Sequence, residues 1–149
     1  MNDSTFLKTL GALAAAAAVV IACSPAPAKA SPTTFGLHLV SHHDPNDGWC
    51  NFNPGAYGRK GGWVAGFYRN SECKRWSFYA ARHWETEGRV RLGLSAGLVT
   101  GYEAAPVLPL LYPSIATDLG GTTWRLGGIP KIHPKQDAGV LHLSAEWRF

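Results

Sequence analysis

The chain ends on a strict alternation: Leu141, Leu143, Ala145, Trp147 and Phe149 are apolar, and the interleaved His142, Ser144, Glu146 and Arg148 are polar. A two-residue period puts the two sets on opposite faces of a β-strand. The same period runs through Val90, Leu92, Leu94, Ala96 and Leu98. Their neighbours Arg91, Gly93, Ser95 and Gly97 are small or polar, as suits the crowded interior of a narrow barrel. Shorter alternating runs lie at 35–39, 63–67 and 123–126. Residues 77–84 are strand-like by composition, with either face able to be the apolar one. Residues 107–116 are almost continuously apolar, but Pro109 and Pro113 inside the run and Pro106 just before it argue against a helix.

Turn-rich stretches at 44–55, 59–62, 70–75, 85–88, 101–106, 118–121 and 129–139 separate these segments. Seven connections predict eight strands. Long and short connections broadly alternate, as they do when loops gather at one end of a barrel and tight turns at the other. The expected fold is all-β: an eight-stranded antiparallel up-and-down β-barrel of outer-membrane type, its apolar face turned to lipid. A terminal strand that closes on an aromatic residue is the usual ending of such barrels. Trp63, Tyr68, Trp76, Trp84, Trp124 and Phe149 fall near predicted strand ends, where interfacial aromatic girdles lie. Alternation alone also allows the inverse, a small soluble periplasmic barrel holding a lipophilic ligand against an inward apolar face.

The first thirty residues stand apart from this pattern. Residues 10–22 are apolar and alanine-rich, Lys8 precedes them, and Ala28-Lys29-Ala30 is a small-x-small cleavage site. This reads as a secretory signal peptide over 1–30, with a single barrel domain over 31–149. The apolar core is too short to span a bilayer as a helix, which takes roughly twenty residues. Val20-Ile21-Ala22-Cys23 allows a second reading, a lipoprotein box in which Cys23 is lipidated and retained.

Composition adds exclusions. With 16% charged and 46% hydrophobic residues, the 149-residue chain is not disordered, and its length suits one domain. The formal net charge is +4, but Lys and Arg are scattered singly, which argues against nucleic acid as a partner. Beyond the leader only Cys50 and Cys73 remain, in a compartment where disulfides persist, and one bridge between them is the simplest expectation. Two cysteines are too few for a zinc site by themselves.

Candidate chemistry gathers in the long connections. The first, 41–53, carries His42, His43, Asp44 and Asp47; the second, 69–76, carries Asn70, Ser71 and Glu72; His133 lies in the last. Barrel geometry puts all three at one end. A histidine and a serine at a barrel mouth are the minimum for acyl transfer, the imidazole activating a hydroxyl. A Cys50–Cys73 bridge would clamp the first two connections together. Adjacent histidines on an extended segment point to opposite sides, which disfavours a metal site built from His42, His43, Asp44 and Asp47. No cofactor is expected. His38, His83 and His142 fall within strands and read as interior polar residues.

Leu92-Gly93-Leu94-Ser95-Ala96-Gly97-Leu98-Val99-Thr100, followed by Pro106-Val107-Leu108-Pro109-Leu110-Leu111, resembles the central segment of the outer-membrane lipid A palmitoyltransferases, the PagP family. There a similar Leu-Gly-Leu-Gly strand leads into a Pro-Leu-Pro-Val-Leu-Leu-Pro stretch. Ile129-Pro130, the terminal Trp147-Arg148-Phe149, Asn70-Ser71 and residues 51–55, which are similar to an Asn-x-x-Pro-x-Gly turn, extend the match over most of 35–149. The resemblance implies a monomeric eight-stranded outer-membrane barrel whose partners are membrane lipids. It would move a palmitoyl chain from phospholipid to lipid A and measure that chain in an interior pocket. Ser71 matches the family's serine, and His42 or His43 its histidine. Asn70 stands where the family has aspartate, keeping size and hydrogen bonding but losing the charge that would stabilise an imidazolium. The family's leading amphipathic helix has no counterpart, and the first connection is shorter. These departures leave a non-catalytic barrel with a structural or lipid-binding role as the alternative. Pro54, Pro106, Pro109, Pro113 and Pro130 sit at or near strands, where each removes a ladder donor. In the family such gaps admit lipid chains sideways; strand ends and edge relief account for them equally well.

Overall fold

A computed structural model describes residues 32–45, 48–129 and 138–149. Residues 1–31, over which a signal peptide is expected, Cys23 among them, and Asp47, Pro130 and His133 lie outside the described residues. Eight strands follow one another: β1 (Thr34–Asp44), β2 (Phe52–Lys60), β3 (Trp63–Arg69), β4 (Trp76–Glu85), β5 (Val90–Thr100), β6 (Val107–Leu119), β7 (Thr122–Ile129) and β8 (Gly139–Arg148). Each pairs antiparallel with the next, and β8 returns to β1, closing an up-and-down barrel. Closure is what lets every strand satisfy its backbone groups in apolar surroundings.

The hairpins at the turn end are tight for a local reason. Gly61 and Gly62 have φ of 58° and 76°, and Gly120 and Gly121 have 62° and 77°. Two successive left-handed residues match the twist of the strands they join, and glycine takes that conformation without strain. At the loop end β1 runs further than the turn signals implied. It continues through His42 and His43 to Asp44, so both histidines are strand residues, and Pro54 lies within β2.

The apolar faces point outward. Leu98, Ile115, Leu126 and Leu141 are exposed, whereas Arg125, Ser144 and Glu146 on the alternate faces are buried. An apolar exterior over a polar interior is the inverse of a water-soluble barrel. On β4, the strand of undecided polarity, Ser77, Ala81 and His83 face in and Trp76, Phe78 and Trp84 face out. Trp63, Trp76, Trp84 and Phe149 are exposed at strand ends, and the Arg82 guanidinium lies 4.9 Å from the Trp63 ring centroid. Tyr68 departs from the expected girdle: it shares the inner face of β3 with Val64, and its hydroxyl meets Tyr102 inside at 2.7 Å.

An ion-pair network takes the place of a hydrophobic core at the turn end. Arg125 Nε donates to Glu146 at 2.6 Å, and Arg59 donates to Glu146 at 3.1 Å and to Glu85 at 3.2 Å. Arg125 also pairs with Glu85, Arg91 with Asp118 at 2.8 Å, and the Tyr57 hydroxyl donates to Glu146 at 2.8 Å. Both carboxylates thus serve two or more guanidinium groups, the condition under which charge survives burial. Glycines make room above this floor. A Cβ on Gly36 would collide with the Tyr57 ring, and one on Gly127 with the Tyr112 ring, so both rings lie flat against the wall. Glu146→Gln should therefore lower unfolding free energy by about 3–5 kcal/mol, because it leaves buried guanidinium charge short of a partner. Urea unfolding of the refolded barrel in lipid vesicles, followed by tryptophan fluorescence, measures this.

Candidate active site

An interior cavity of about 100 Å³ runs from the loop end down to the ion-paired floor, touching His43 and Ser71 near the top and Arg125 and Glu146 at the bottom. Tyr57, Tyr68, Tyr79, Tyr102 and Tyr112 supply much of its wall.

The choice between the two adjacent histidines is made by one irregular residue. Thr34 and Gly36 face inward at even positions, and an unbroken two-residue period would carry His42 in with them. The register of β1 shifts between His38 and Val40 against both neighbours: opposite β8 Leu39 is the extra, bulged residue, and opposite β2 the extra residue is on β2, where Asn53 and Pro54 face Leu39 alone. Beyond it Val40 and His42 are exposed and Ser41 and His43 are buried. His43 therefore opens on the cavity and His42 faces away.

His43 is held from two sides. Its Nδ1 lies 2.8 Å from the Asn51 amide oxygen, and since that oxygen only accepts, Nδ1 carries the proton. Its ring stacks on Trp49 at 5.4 Å between centroids. This leaves Nε2 as the basic nitrogen, buried and without a hydrogen-bond partner among the described residues. An imidazole oriented through Nδ1 and open at Nε2 is the arrangement of a general base. The orienting group is a neutral amide, where the resemblance led to expecting one at Asn70.

Asn70 and Ser71 sit side by side in the β3–β4 connection with different surroundings. Asn70 is fully buried, and its amide holds the loop together: Nδ2 donates to the Gly101 carbonyl at 2.8 Å, and Oδ1 accepts the Arg75 N–H at 3.4 Å. Ser71 lines the cavity, and its carbonyl accepts the Cys50 N–H at 2.8 Å. The Cys50–Cys73 disulfide forms, with Cα atoms 5.5 Å apart. Cys50 directly precedes Asn51, the partner of His43, and Cys73 lies two residues after Ser71. The bridge and the Cys50–Ser71 backbone bond thus fasten the two segments that carry the base and the serine.

Tyr102, in the β5–β6 connection, completes the mouth. Burial raises its phenol above the ordinary range, and the Tyr68, Ser77 and Ser71 hydroxyls around it pull the other way. The Tyr68, Ser71 and Tyr102 side chains thus line the same cavity as His43, whose Nε2 is unpaired among the described residues. Of the residues expected from sequence, His43 and Ser71 share the cavity, Asn70 braces the loop beneath Ser71, and His42 lies outside. Asn51, Trp49, Tyr68 and Tyr102 complete the site. Asn51 falls within the Asn-x-x-Pro-like stretch and could have been noticed there, whereas nothing local marks the tyrosines.

The wall is incomplete at this end. The β5–β6 ladder runs unbroken from Val90↔Thr117 to Thr100↔Val107. The β6–β7 ladder stops at Ser114↔Gly127, so the part of β6 carrying Pro109 and Pro113 has no β7 partner among the described residues. Between β2 and β3 pairing begins only at Gly55↔Tyr68, and the Asn53 side chain spans the space above, donating to Arg69 O at 3.0 Å and Cys50 O at 3.2 Å.

No protein-family model and no curated protein matches the chain.

Two outcomes follow from the bracing. Asn70→Asp exchanges the donor facing the Gly101 carbonyl for an acceptor, and should cost about 1–3 kcal/mol of stability without adding activity. Replacing both Cys50 and Cys73 by serine opens a loop that spans 23 residues and should lower stability by about 3 kcal/mol. Vesicle unfolding curves read both effects.

Proposed function

We propose that the chain is an outer-membrane acyltransferase of PagP-like type, exported through a cleaved signal peptide and working as a monomer. It would move a fatty acyl chain from a phospholipid to lipid A. The observation that carries this reading is His43: an imidazole oriented by Asn51, with Nε2 unpaired, opening on the same cavity as Ser71 in a barrel with an apolar exterior. The unpaired stretch of wall between β6 and β7 supports it, since a lipid tail could reach the cavity there from the bilayer.

The chemistry runs in two steps. Ser71 Oγ attacks the ester carbonyl of the phospholipid while its proton passes to His43 Nε2. The ester C–O bond breaks, the proton goes on to the departing lysophospholipid oxygen, and the acyl group stays on Ser71. A lipid A hydroxyl then attacks the acyl-serine, gives its proton to Nε2, and leaves as the new ester as the proton returns to Ser71. Asn51 keeps the imidazole in the correct tautomer throughout.

The refolded protein should transfer label from phospholipid to lipid A. Ser71→Ala and His43→Ala should each lower the rate at least about a hundredfold, and Asn51→Ala about tenfold, while His42→Ala stays near the starting rate. Equal product with and without Ser71, or no product from the unaltered chain, ends the catalytic reading. Membrane fractionation with a heat-modifiable gel shift tests the location, and recovery in the soluble periplasm would remove it.

A further inference from the structure

The outer wall carries a groove of about 240 Å³ across β1, β2 and β3. Ala56, Gly58 and Ala65 form its floor, and the rings of Phe35 and Phe67 stand at its sides. The register explains the shape. Phe35 pairs with Gly58, Gly58 with Ala65 and Ala65 with Ala80, so one rung sets three outward residues with little or no side chain beside a phenylalanine. On β5 and β6 the outer face is filled instead by side chains such as Leu92, Leu98, Leu111 and Ile115. The depression is therefore local, and it opens on the hydrocarbon side of the wall.

The next rung toward the turn end differs in kind. Lys60 pairs with Trp63 and Trp63 with Arg82, so two cations flank an indole on the outer face. At about 3.4 Å per residue this rung lies roughly 7 Å from the floor of the groove. Arg82 is already placed: its guanidinium lies 4.9 Å from the Trp63 ring centroid, and Nη1 donates to the Gly61 carbonyl at 3.4 Å. Lys60 is exposed, and neither residue forms an ion pair among the described residues. Glu85 is the one carboxylate on β2, β3 and β4, and Arg59 and Arg125 hold it inside. Two cations without a counter-ion thus sit at the level where Trp63 marks the edge of the apolar band. Their backbones stand two strand spacings apart, about 10 Å, and their long stems let one phosphate meet both.

We propose that the groove and the cationic rung together bind an anionic phospholipid of the leaflet at the turn end. Its phosphate sits between Lys60 and Arg82, and one acyl chain lies along Gly58, Ala65 and Ala56 toward Phe67. A headgroup with its own ammonium would bring a third positive charge to the rung, so the site favours phosphatidylglycerol over phosphatidylethanolamine. The site lies on the lipid-facing side of the wall, apart from His43 and Ser71, and a lipid held here is retained rather than consumed. It rests on the outer-membrane reading of the barrel and not on acyl transfer.

Native mass spectrometry of the refolded chain in detergent measures the binding, with Ser71→Ala throughout so that no phospholipid is turned over. Phosphatidylglycerol should bind at least about tenfold more tightly than phosphatidylethanolamine with the same acyl chains. Lys60→Gln combined with Arg82→Gln should remove that preference. Arg89→Gln, which removes an exposed cation of the same end in the β4–β5 connection, should keep it. A Cβ at Gly58 meets no atom within 4 Å, so Gly58→Phe fills the groove without disturbing the wall and should weaken both lipids at least about fivefold. A heat-modifiable gel shift verifies that each variant is a folded barrel. In folded barrels, three results overturn the site and leave the membrane barrel standing: equal affinity for the two lipids, a preference that survives loss of Lys60 and Arg82 or falls as far with Arg89→Gln, and retention untouched by Gly58→Phe. Dimers in place of bound lipid would give the groove to a second copy and overturn it too. A chain that shows no heat-modifiable barrel, or that fractionates with the soluble periplasm, removes the outer-membrane reading and the site with it.

Discussion

The pairing of Glu146 with Arg125 and Arg59 is the interaction on which the rest of the barrel depends. With its apolar faces turned outward, the barrel has only a small inward apolar cluster, Tyr57, Val64 and Ala81, to hold its strands around a common centre. What fills the turn end is charge, and buried charge is tolerated only where each group finds its counter-ion and its hydrogen bonds. Glu146 accepts from two guanidinium groups and from Tyr57, and Glu85 is shared in the same way. These bonds join β2, β4, β7 and β8 across the interior. They close one end of the barrel and leave the other to be shaped by loops.

That division of labour explains where chemistry can occur. At the floor Glu85 and Glu146 are each shared by two or more guanidinium groups, while at the mouth an imidazole nitrogen and a serine face a cavity, held from behind by Asn51 and by a disulfide. Between them His38 joins His142 and Tyr79 by hydrogen bonds of 2.8 Å and 3.0 Å across the interior.

Much of the architecture was legible from alternation. Residues 90–98 and 141–149 state their two faces outright, and Gly-Gly pairs mark the tight turns. Residues 77–84 did not, because aromatic residues stand on both faces: Tyr79 faces in and its hydroxyl meets His38, whereas Trp76 and Phe78 face out. Tyr68 misled for the same reason, since a phenol suits an interfacial girdle and a hydroxyl-lined interior equally well. The site was half legible. Histidine and serine announced themselves by type, but Asn70 drew attention through position alone, and its amide is occupied in bracing Gly101 and Arg75.

The order of strands, their alternating faces and the cysteines available for a bridge were determined by the sequence itself, because these follow from periodicity and residue type within a few neighbours. Which face turned inward, which of two adjacent histidines met the cavity, and which amide stood behind it were decided only in the tertiary structure. A two-residue period carries no absolute direction, and a single bulge reverses its phase. At Leu39 that reversal exchanges His42 for His43, and its cause lies in the pairing of β1 with β2 and β8.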